Sequence, residues 1–341
     1  MTAVAATGAA SAPLLSVRGL RKYFPVKSER FFAPRQMVQA VDDVSFSIEA
    51  GETLGIVGES GCGKSTTARL LMRLIAPDAG EVDFAGRPVL TEDGLSLRDL
   101  RRNMQMVFQD SYASLNPRLA VQDSIAFGPR AHGVSGQQAT AKARELLSLV
   151  GLDPDQFGRR YPHELSGGQR QRVNVARALA LDPKLVILDE AVSALDKSIE
   201  AQVLNLLMDL KARLQLTYLF ISHDLNVVQY ISDHVLVMYL GKAVEVGNVE
   251  DIYHRPRHPY TQALLASRPT MDPEVKLERS PLTGDPPNPI NPPPGCRFRT
   301  RCAFAEDVCG RVEPALTSGG ASGNSVACHM HIPGSGHSRR Q

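Results

Sequence analysis

The eight residues from Gly58 to Ser65 constrain this chain more than any other segment. They read Gly-Glu-Ser-Gly-Cys-Gly-Lys-Ser, which fits the pattern G-x-x-x-x-G-K-[ST]. An apolar run, Leu54 to Val57, precedes them, and a helical pattern, Thr66 to Ile75, follows. A glycine-rich turn that opens a helix presents its backbone amides to phosphate oxygens. A glycine-rich turn that binds nothing would not need a strand directly before it and a helix directly after it. The predicted phosphate contacts are Gly58, Ser60, Gly61, Cys62, Gly63, Lys64, Ser65 and Thr66.

A second segment supplies the acids that nucleotide chemistry needs. Leu185 to Leu188 is a continuous aliphatic run, as expected for a buried parallel strand, and Asp189 and Glu190 follow it. Ligands of α/β sheets bind at such strand ends. Lys64 is predicted to reach the β- and γ-phosphates, and Ser65 and Asp189 to hold Mg²⁺. Glu190 is predicted to act as the general base on water.

The order of apolar and helical patterns predicts an α/β fold. Alternating runs extend from about Leu14 to His254, except that the region from Ser111 to Tyr161 lacks clear strands and holds a helix candidate, Gln137 to Val150. Dense proline, as in Asp285 to Pro294, then predicts an irregular connector. The predicted division is a disordered leader at 1–13, an ATPase-type domain at 14–255 with a helical insertion at about 111–180, and an extension at 256–341.

Composition excludes several classes of protein. Lys and Arg number 38 against 36 Asp and Glu, so the net charge of +2 gives no electrostatic argument for nucleic-acid binding. No run approaches the about 18 apolar residues that suggest a membrane span. The start of the chain, Met1 to Pro13, lacks the basic and apolar regions of a signal peptide. Any link to a membrane is therefore expected to run through partner proteins.

The segment Leu165-Ser166-Gly167-Gly168-Gln169 resembles the LSGGQ signature of the ABC ATPase superfamily. Ser166 is also a candidate N-cap for a helix that continues through Ala180. The resemblance implies a P-loop α/β domain with an antiparallel β subdomain. It also implies that two such subunits face head to tail, so that each signature, Ser166 to Gln169, closes over the ATP of its partner.

Further positions match the superfamily one by one. The resemblance makes Gln109 a ligand of Mg²⁺ that couples to the membrane subunit, and His223 a contact of the γ-phosphate. It places Ser193 to Asp196 at the dimer interface and makes Phe24, in preference to Tyr23, the aromatic residue that stacks on adenine. One departure is Ala191, where the family commonly has proline; because Glu190 is present, hydrolysis is expected to survive. Glu190, His223 and Gln109 are the implied catalytic residues.

Three longer stretches resemble the ATP-binding subunits of bacterial dipeptide and oligopeptide (peptide/nickel) ABC importers: Gln109 to Arg118, Arg257 to Leu265 and Asn291 to Phe298. The similarity runs from about Leu14 to Ala327. It implies ATP-driven peptide import, a related but different partner ATPase, two permeases, an extracytoplasmic substrate-binding protein and a peripheral position on the cytoplasmic face of the membrane. Nickel, glutathione and peptide-antibiotic importers use the same subunit type, so the cargo stays open.

The cysteines form two groups. Cys62 lies in the glycine-rich loop, where the plain interpretation is a small loop residue. The alternative is a thiol that is sensitive to alkylation, because the helix N-terminus and Lys64 can lower its pKa. Cys296, Cys302, Cys309 and Cys328 are separated by five, six and eighteen residues. In a reducing cytosol four thiols suit Zn²⁺ or an iron–sulfur cluster better than disulfides, and the spacing does not choose between them. The resemblance favours a [4Fe–4S] cluster. With zinc, His329 or His331 are candidate substitute ligands, and four free thiols are the plain alternative.

Two rival functions are less consistent with the sequence. A soluble ABC ATPase that acts on DNA or ribosomes usually carries two cassettes or long coiled-coil arms, and this chain has one cassette and no heptad pattern. An exporter ATPase would have no evident purpose for the peptide-importer segments after residue 256.

Overall fold

The structure is a computed structural model that describes residues 12–26, 36–268, 284–318 and 324–339. The predicted leader at 1–13 lies almost wholly outside the described residues. The strands are β1 (Leu15–Pro25), β2 (Met37–Ile48), β3 (Thr53–Val57), β4 (Ala79–Phe84), β5 (Arg87–Pro88), β6 (Met104–Val107), β7 (Leu185–Asp189), β8 (Thr217–Ile221), β9 (His234–Tyr239), β10 (Lys242–Asn248), β11 (Thr317–Ser318) and β12 (Ser325–Val326). The helices are α1 (Lys64–Leu71), α2 (Leu97–Asn103), α3 (Val121–Ala131), α4 (Gly136–Leu149), α5 (Pro154–Phe157), α6 (Gly167–Leu179), α7 (Lys197–Leu214), α8 (Leu225–Ile231), α9 (Val249–His254), α10 (Pro259–Ala266) and α11 (Asp307–Arg311).

The described strands form two sheets. A four-stranded antiparallel sheet has the order β2-β1-β4-β5. A larger sheet has the order β11-β12-β10-β9-β3-β8-β7-β6, in which β9, β3, β8, β7 and β6 run parallel and β10, β12 and β11 extend one edge in antiparallel fashion. The predicted fold class, an α/β domain with an antiparallel β subdomain, is confirmed.

The larger sheet separates two hydrophobic cores, and β7 shows how. Successive side chains of a strand point to opposite faces. Val186 and Leu188 pack in the core that contains most of the helices, whereas Leu185 and Ile187 pack in the core shared with the antiparallel sheet. All five residues of β7 are buried. A strand buried on both faces has to be apolar throughout, which is why the run was recognisable in the sequence.

Helices α3 to α6 lie between β6 and β7 in the chain, and α4 agrees closely with the predicted helix at Gln137 to Val150. The first helix is shorter than predicted, because it ends at Leu71 rather than Ile75. Arg73 adopts a left-handed conformation with φ of 49°, and the amide of Leu74 donates to the carbonyl of Arg69. This is the usual way in which a helix closes its last turn.

The C-terminal extension is built into the main sheet. β12 pairs with β10, where Glu245 lies opposite Val326. The proline-rich stretch at 284–294 contains no helix or strand, as predicted. No helix in the described part of the chain combines the length and apolar character needed to cross a membrane.

Candidate functional site

The glycine-rich loop follows β3 and ends where α1 begins at Lys64. Two of its glycines are required by both conformation and space. Gly58 has φ of +150°, and a Cβ there would lie 2.2 Å from the carbonyl oxygen of Met238. Gly63 has φ of +107°, and a Cβ there would lie 2.2 Å from the carbonyl oxygen of Ala40. Any side chain at these positions would displace backbone, so the loop can form only with glycine.

The polar side chains at the start of α1 turn toward the loop and toward β7. Lys64 is buried, and its Nζ donates to the carbonyl oxygens of Gly58 at 2.7 Å and Glu59 at 3.2 Å. Ser65 Oγ donates to Oδ1 of Asp189 at 2.8 Å. A hydroxyl and a carboxylate in contact offer the hard oxygen ligands that Mg²⁺ prefers, so these two residues fit the predicted metal.

The two acids after the aliphatic run occupy different environments. Asp189 is the last residue of β7, and burial, together with the charge of Glu190, raises the pKa of its carboxyl group. Glu190 is less buried and has a left-handed backbone with φ of 49°, which is uncommon for a residue other than glycine. Its backbone is fixed from both sides, because its amide donates to Ile221 and its carbonyl accepts from the Ser193 hydroxyl. Such strain persists only where surrounding contacts impose it.

Gln109 and His223 both reach the side chain of Glu190. Gln109 Nε2 donates to Oε2 of Glu190 at 2.7 Å, and His223 Nδ1 lies 3.5 Å from the same oxygen. The three side chains share a cavity of about 500 Å³ with most of the predicted phosphate contacts. The members of both predicted groups that line it are Ser60, Gly61, Gly63, Lys64, Ser65, Thr66, Gln109, Glu190 and His223.

The two aromatic candidates near β1 differ in their contacts. Tyr23 donates its hydroxyl to Oδ1 of Asp42 at 2.6 Å, and burial and this contact raise its pKa to about 12. Phe24 lies opposite Val38 in the antiparallel pair of β1 and β2, and Val38 lines the cavity. Directly opposite residues project from the same face of a sheet, so Phe24 is on the cavity side. The residue is 36% exposed, and Nζ of Lys22 lies 5.6 Å from the centroid of its ring.

The signature segment lies apart from this cavity. Ser166 caps α6 as predicted: Ser166 Oγ accepts from the Gln169 amide, and Gln169 Oε1 accepts from the Ser166 amide. A Cβ on Gly168 would lie 2.5 Å from Ile199, so helix packing requires glycine there. Within the described residues, the cavity lining does not include Ser166, Gly167, Gly168 or Gln169. The chain thus presents two separate candidate phosphate sites.

Comparisons with known proteins show which family the chain belongs to. The family model described as ABC transporter matches residues 41–193, and the one described as oligopeptide/dipeptide transporter, C-terminal region, matches residues 244–309. The oligopeptide transport ATP-binding protein AppF of Bacillus subtilis is 50% identical over 95% of this chain and 99% of its own length. The dipeptide transport ATP-binding protein DppF of Escherichia coli is 48% identical over 93% of this chain and 94% of its own.

The chain belongs to the ATP-binding subunits of the oligopeptide/dipeptide ABC transporter family. It is therefore an ABC-type ATPase, as the sequence motifs predicted. Solved structures agree on the fold. CbiO1 from Clostridium perfringens has a TM-score of 0.61 at 25% identity over 72% of this chain and 92% of its own. The ATP-binding cassette MJ0796, bound to ADP and Pi, has a TM-score of 0.59 at 26% identity over 69% and 98%.

The four C-terminal cysteines of this family member line a single small cavity. Cys296, Cys302, Cys309 and Cys328 share it with aromatic side chains, His329 and other residues. Burial raises the pKa of Cys296 to about 12 and that of Cys328 to about 11, and it also raises the pKa of Cys302. Among the described residues, no group of three or more His, Cys, Asp or Glu side chains is arranged to hold a metal ion. The four thiols therefore line the same cavity but are not arranged as the ligands of a metal ion.

The histidines proposed as substitute ligands differ from each other. His329 lines the cysteine cavity, and its Nε2 lies 2.9 Å from the carbonyl oxygen of Val312. Its Nδ1 is buried and has no hydrogen-bond partner among the described residues. His331 Nε2 instead lies 3.0 Å from the carbonyl of Arg257, and His331 is not part of the cavity lining.

The predicted reactivity of Cys62 is wrong. Its side chain is only 3% exposed, and burial raises its thiol pKa, although Lys64 acts in the opposite direction. Lys64 favours the thiolate, but desolvation of the thiolate on burial has the larger effect. Cys62 is therefore a small buried loop residue.

Two residues that contact the phosphate loop were not found from the sequence. The hydroxyl of Tyr260 accepts a hydrogen bond from the amide of Glu59 at 2.9 Å, and Arg301 forms two hydrogen bonds with the Glu59 carboxylate at 2.8 and 3.0 Å. Both residues belong to the C-terminal extension. Three arginines, Arg297, Arg299 and Arg301, lie between Cys296 and Cys302, and nothing in the sequence marks which of them pairs with Glu59.

Proposed function

We propose that this chain hydrolyses ATP to drive the import of di- and oligopeptides through a membrane ABC transporter. The observation that supports it best is the cavity in which the glycine-rich loop meets Gln109, Glu190 and His223, in a chain whose C-terminal region matches the oligopeptide/dipeptide transporter family. The named relatives are oligopeptide and dipeptide transport proteins. Nickel, glutathione and peptide antibiotics are alternative cargoes, because cargo selection depends on other subunits.

The side chains of the cavity suggest a division of labour. The loop amides and Lys64 would bind the phosphates, and Phe24 would stack on adenine. Ser65, Asp189 and Gln109 would hold Mg²⁺, which when bound neutralises phosphate charge. Glu190 would accept the proton of the attacking water, while Gln109 and His223, which both contact its Oε2, orient that carboxylate. Because His223 also contacts Glu190, a contact of His223 with the γ-phosphate would make the orientation of the Glu190 carboxylate depend on the bound nucleotide.

The separation of the signature from the cavity supports a dimeric mechanism. Ser166 to Gln169 form a capped helix start, a geometry suited to binding anions, yet they lie outside the cavity of their own chain. A second subunit placed head to tail would bring its signature to this cavity. Leu195, in the segment proposed for the interface, lies beside Gly167. We propose a heterodimer with a related ATPase.

The remaining partners follow from the transporter assignment. Two permeases and an extracytoplasmic substrate-binding protein would complete the complex, with this subunit on the cytoplasmic face of the membrane. Two side chains of the insertion, Tyr112 and Phe127, and one just before it, Phe108, are exposed large hydrophobics and offer a contact for a permease.

The cysteine cavity is proposed to hold a [4Fe–4S] cluster, with Zn²⁺ as the alternative. Four thiols on one cavity are a donor set that fits either group. Their raised pKa values mean that protons must leave when a cation binds and draws the thiolates together. The position outside the nucleotide cavity supports a structural or regulatory role. Bound there, either group would cross-link the extension.

The experiment that tests the transport proposal uses the complete complex. The chain, its partner ATPase and the permeases are reconstituted in vesicles, and ATP hydrolysis is measured with and without binding protein and peptides. Peptide-stimulated hydrolysis that is lost in Glu190→Gln is the expected result. Hydrolysis that responds to nucleic acid and not to permeases or peptides would favour a soluble ABC ATPase instead and overturn the transport assignment.

A further inference from the structure

Glu59, the second residue of the glycine-rich loop, is held at all three of its polar groups. Its amide donates to the hydroxyl of Tyr260 at 2.9 Å, and its carboxylate accepts two hydrogen bonds from Arg301 at 2.8 and 3.0 Å. Its carbonyl accepts from Lys64 Nζ at 3.2 Å. The first two contacts come from the C-terminal extension, and the third comes from the lysine proposed to bind phosphate.

The pair of Arg301 and Glu59 has the features of a positioning contact. The Arg301 side chain is 6% exposed and that of Glu59 is 22% exposed. A forked, charge-assisted contact fixes orientation as well as distance, because Nη1 donates to Oε2 of Glu59 and Nη2 donates to Oε1. Arg301 Nη1 also donates to the Tyr239 hydroxyl at 3.3 Å, which orients the guanidinium from a second side.

Tyr260 is equally constrained. It is fully buried, and its ring lies 4.6 Å from that of Tyr239 and 5.4 Å from that of Phe298, measured between centroids. Tyr239 and Phe298 also pack edge to face at 5.3 Å. This aromatic cluster joins the last residue of β9 to two parts of the extension. The packing of its ring therefore fixes the position of the Tyr260 hydroxyl, which accepts the hydrogen bond from the Glu59 amide.

The extension is also attached to the rest of the chain by contacts that do not involve Arg301. Arg297 is buried and contacts Asp42, Gln39 and the carbonyl of Leu240. The pairing of β12 with β10 adds a backbone connection. Since these contacts already dock the extension, the two contacts to Glu59 have their main consequence at the loop.

We propose that the C-terminal extension completes the nucleotide site, with Arg301 and Tyr260 as positioning residues for the phosphate loop. The inference rests on the proposed ATPase function and deepens it. Both residues fix the conformation of Glu59 and so orient the amides that follow it. They touch the loop and not the proposed general base, so they affect nucleotide binding more than the chemical step. ATP and transition state would lose affinity together, which raises KM and leaves kcat almost unchanged.

The test measures ADP binding to the purified full chain by calorimetry and, in the reconstituted complex, KM and kcat for ATP. The variants are Arg301→Ala, Arg301→Lys, Tyr260→Phe, Glu59→Gln and the double variant Glu59→Gln with Arg301→Ala. Arg311→Ala is the matched control, because Arg311 is an exposed arginine of the same extension. Thermal unfolding of each variant reports whether the fold is intact.

Arg301→Ala is expected to weaken ADP binding about tenfold, equivalent to about 1.4 kcal/mol, with kcat changed less than twofold. Arg301→Lys should recover part of the loss, because one of the two hydrogen bonds can form. The double variant should bind ADP no worse than Arg301→Ala, since the two residues act as one unit. Arg311→Ala should match the wild type.

Variants with a lowered unfolding temperature and wild-type ADP affinity would overturn the inference, because the contacts would then stabilise the fold without affecting the nucleotide site. So would additive losses in the double variant. A wild-type chain that does not bind ADP would instead contradict the proposed ATPase function, so the two failures are distinguishable. Tyr260→Phe keeps the buried ring and tests the second contact even if Arg301→Ala is unstable.

Discussion

Gln109 donates a hydrogen bond from Nε2 to Oε2 of Glu190 at 2.7 Å, and His223 lies 3.5 Å from that same oxygen. These three residues follow three neighbouring parallel strands, β6, β7 and β8. Their convergence is a consequence of topology, because the C-terminal ends of parallel strands meet at one edge of a sheet. One carboxylate oxygen thus receives two polar groups from flanking strands.

Replacing Glu190 with Gln should abolish turnover while leaving nucleotide binding in place. The amide keeps the size of the side chain but cannot accept a proton, and general-base catalysis is commonly worth about 10²–10⁴ in rate. We expect kcat to fall by at least about 100-fold, with ADP affinity within threefold of wild type. Calorimetry and a phosphate-release assay measure the two quantities. Loss of ADP binding together with turnover would contradict the assignment of Glu190 as a base.

The glycines of the phosphate loop should differ in their tolerance of alanine. At Gly63 a Cβ would lie 2.2 Å from the Ala40 carbonyl oxygen, whereas a Cβ at Gly61 would meet nothing within 4 Å in the described part of the chain beyond its two neighbours in sequence. Both have positive φ, so Gly61→Ala should cost only the conformational term of about 1–2 kcal/mol. Gly63→Ala should in addition displace the loop and abolish ADP binding. Thermal unfolding and calorimetry compare the two, and equal effects would show that sterics at Ala40 are not decisive.

Phe24 should matter for nucleotide affinity and Tyr23 should not. Stacking of a base on an aromatic ring is worth about 1–3 kcal/mol, so Phe24→Ala is expected to raise KM for ATP about tenfold. Phe24→Tyr should retain most of the affinity. Tyr23→Phe removes the hydrogen bond to Asp42 and should lower stability with little change in KM. A larger KM effect at Tyr23 than at Phe24 would reverse the assignment.

The stability of the chain should fall on mild acidification because of His258. Burial, together with the nearby His331, lowers its pKa to about 3, and its Nδ1 accepts a hydrogen bond from the Tyr260 amide. The unfolded chain has the ordinary value of about 6.5 and binds more protons below it. The contribution of neutral His258 to the free energy of unfolding is therefore present above pH 6.5 and is lost as the pH drops toward 3. At pH 5.5 the free energy of unfolding should already be lower by about 1.4 kcal/mol.

His258→Asn provides the control for this prediction. Asparagine is a good N-cap and does not titrate, so the variant should lose less stability between pH 7.5 and 5.5 than the wild type. Glu245, whose pKa burial raises, acts in the opposite direction but is present in both proteins. Urea unfolding at the two pH values measures the difference. An equal loss in both proteins would mean that other groups cause the acid sensitivity.

Much of the nucleotide cavity could be predicted from the sequence because its residues occur in short motifs at strand ends. Gln109, Glu190 and His223 each follow an apolar run, and the sheet brings such ends together. The contacts of Glu59 could not be predicted in this way. Arg301 lies 242 positions away, and no local pattern marks which of several arginines will find the carboxylate. Cys62 shows a second limit, since burial is a property of the tertiary structure and reversed the expected direction of its pKa shift.

The metal content of the cysteine cavity can be predicted and tested with an internal control. Anaerobically purified chain is expected to contain about four iron atoms and matching acid-labile sulfide, as a [4Fe–4S] cluster requires. Cys309→Ser should lose the metal, because Cys309 lines the cavity with the other three thiols. Cys62→Ser should keep it, since Cys62 lies in the phosphate loop, outside that lining. About one zinc per chain would instead show that the metal is Zn²⁺. The variant His329→Ala would then test whether the buried Nδ1 of His329 is one of the zinc ligands. A metal-free chain with four reactive thiols after anaerobic purification would contradict both proposals.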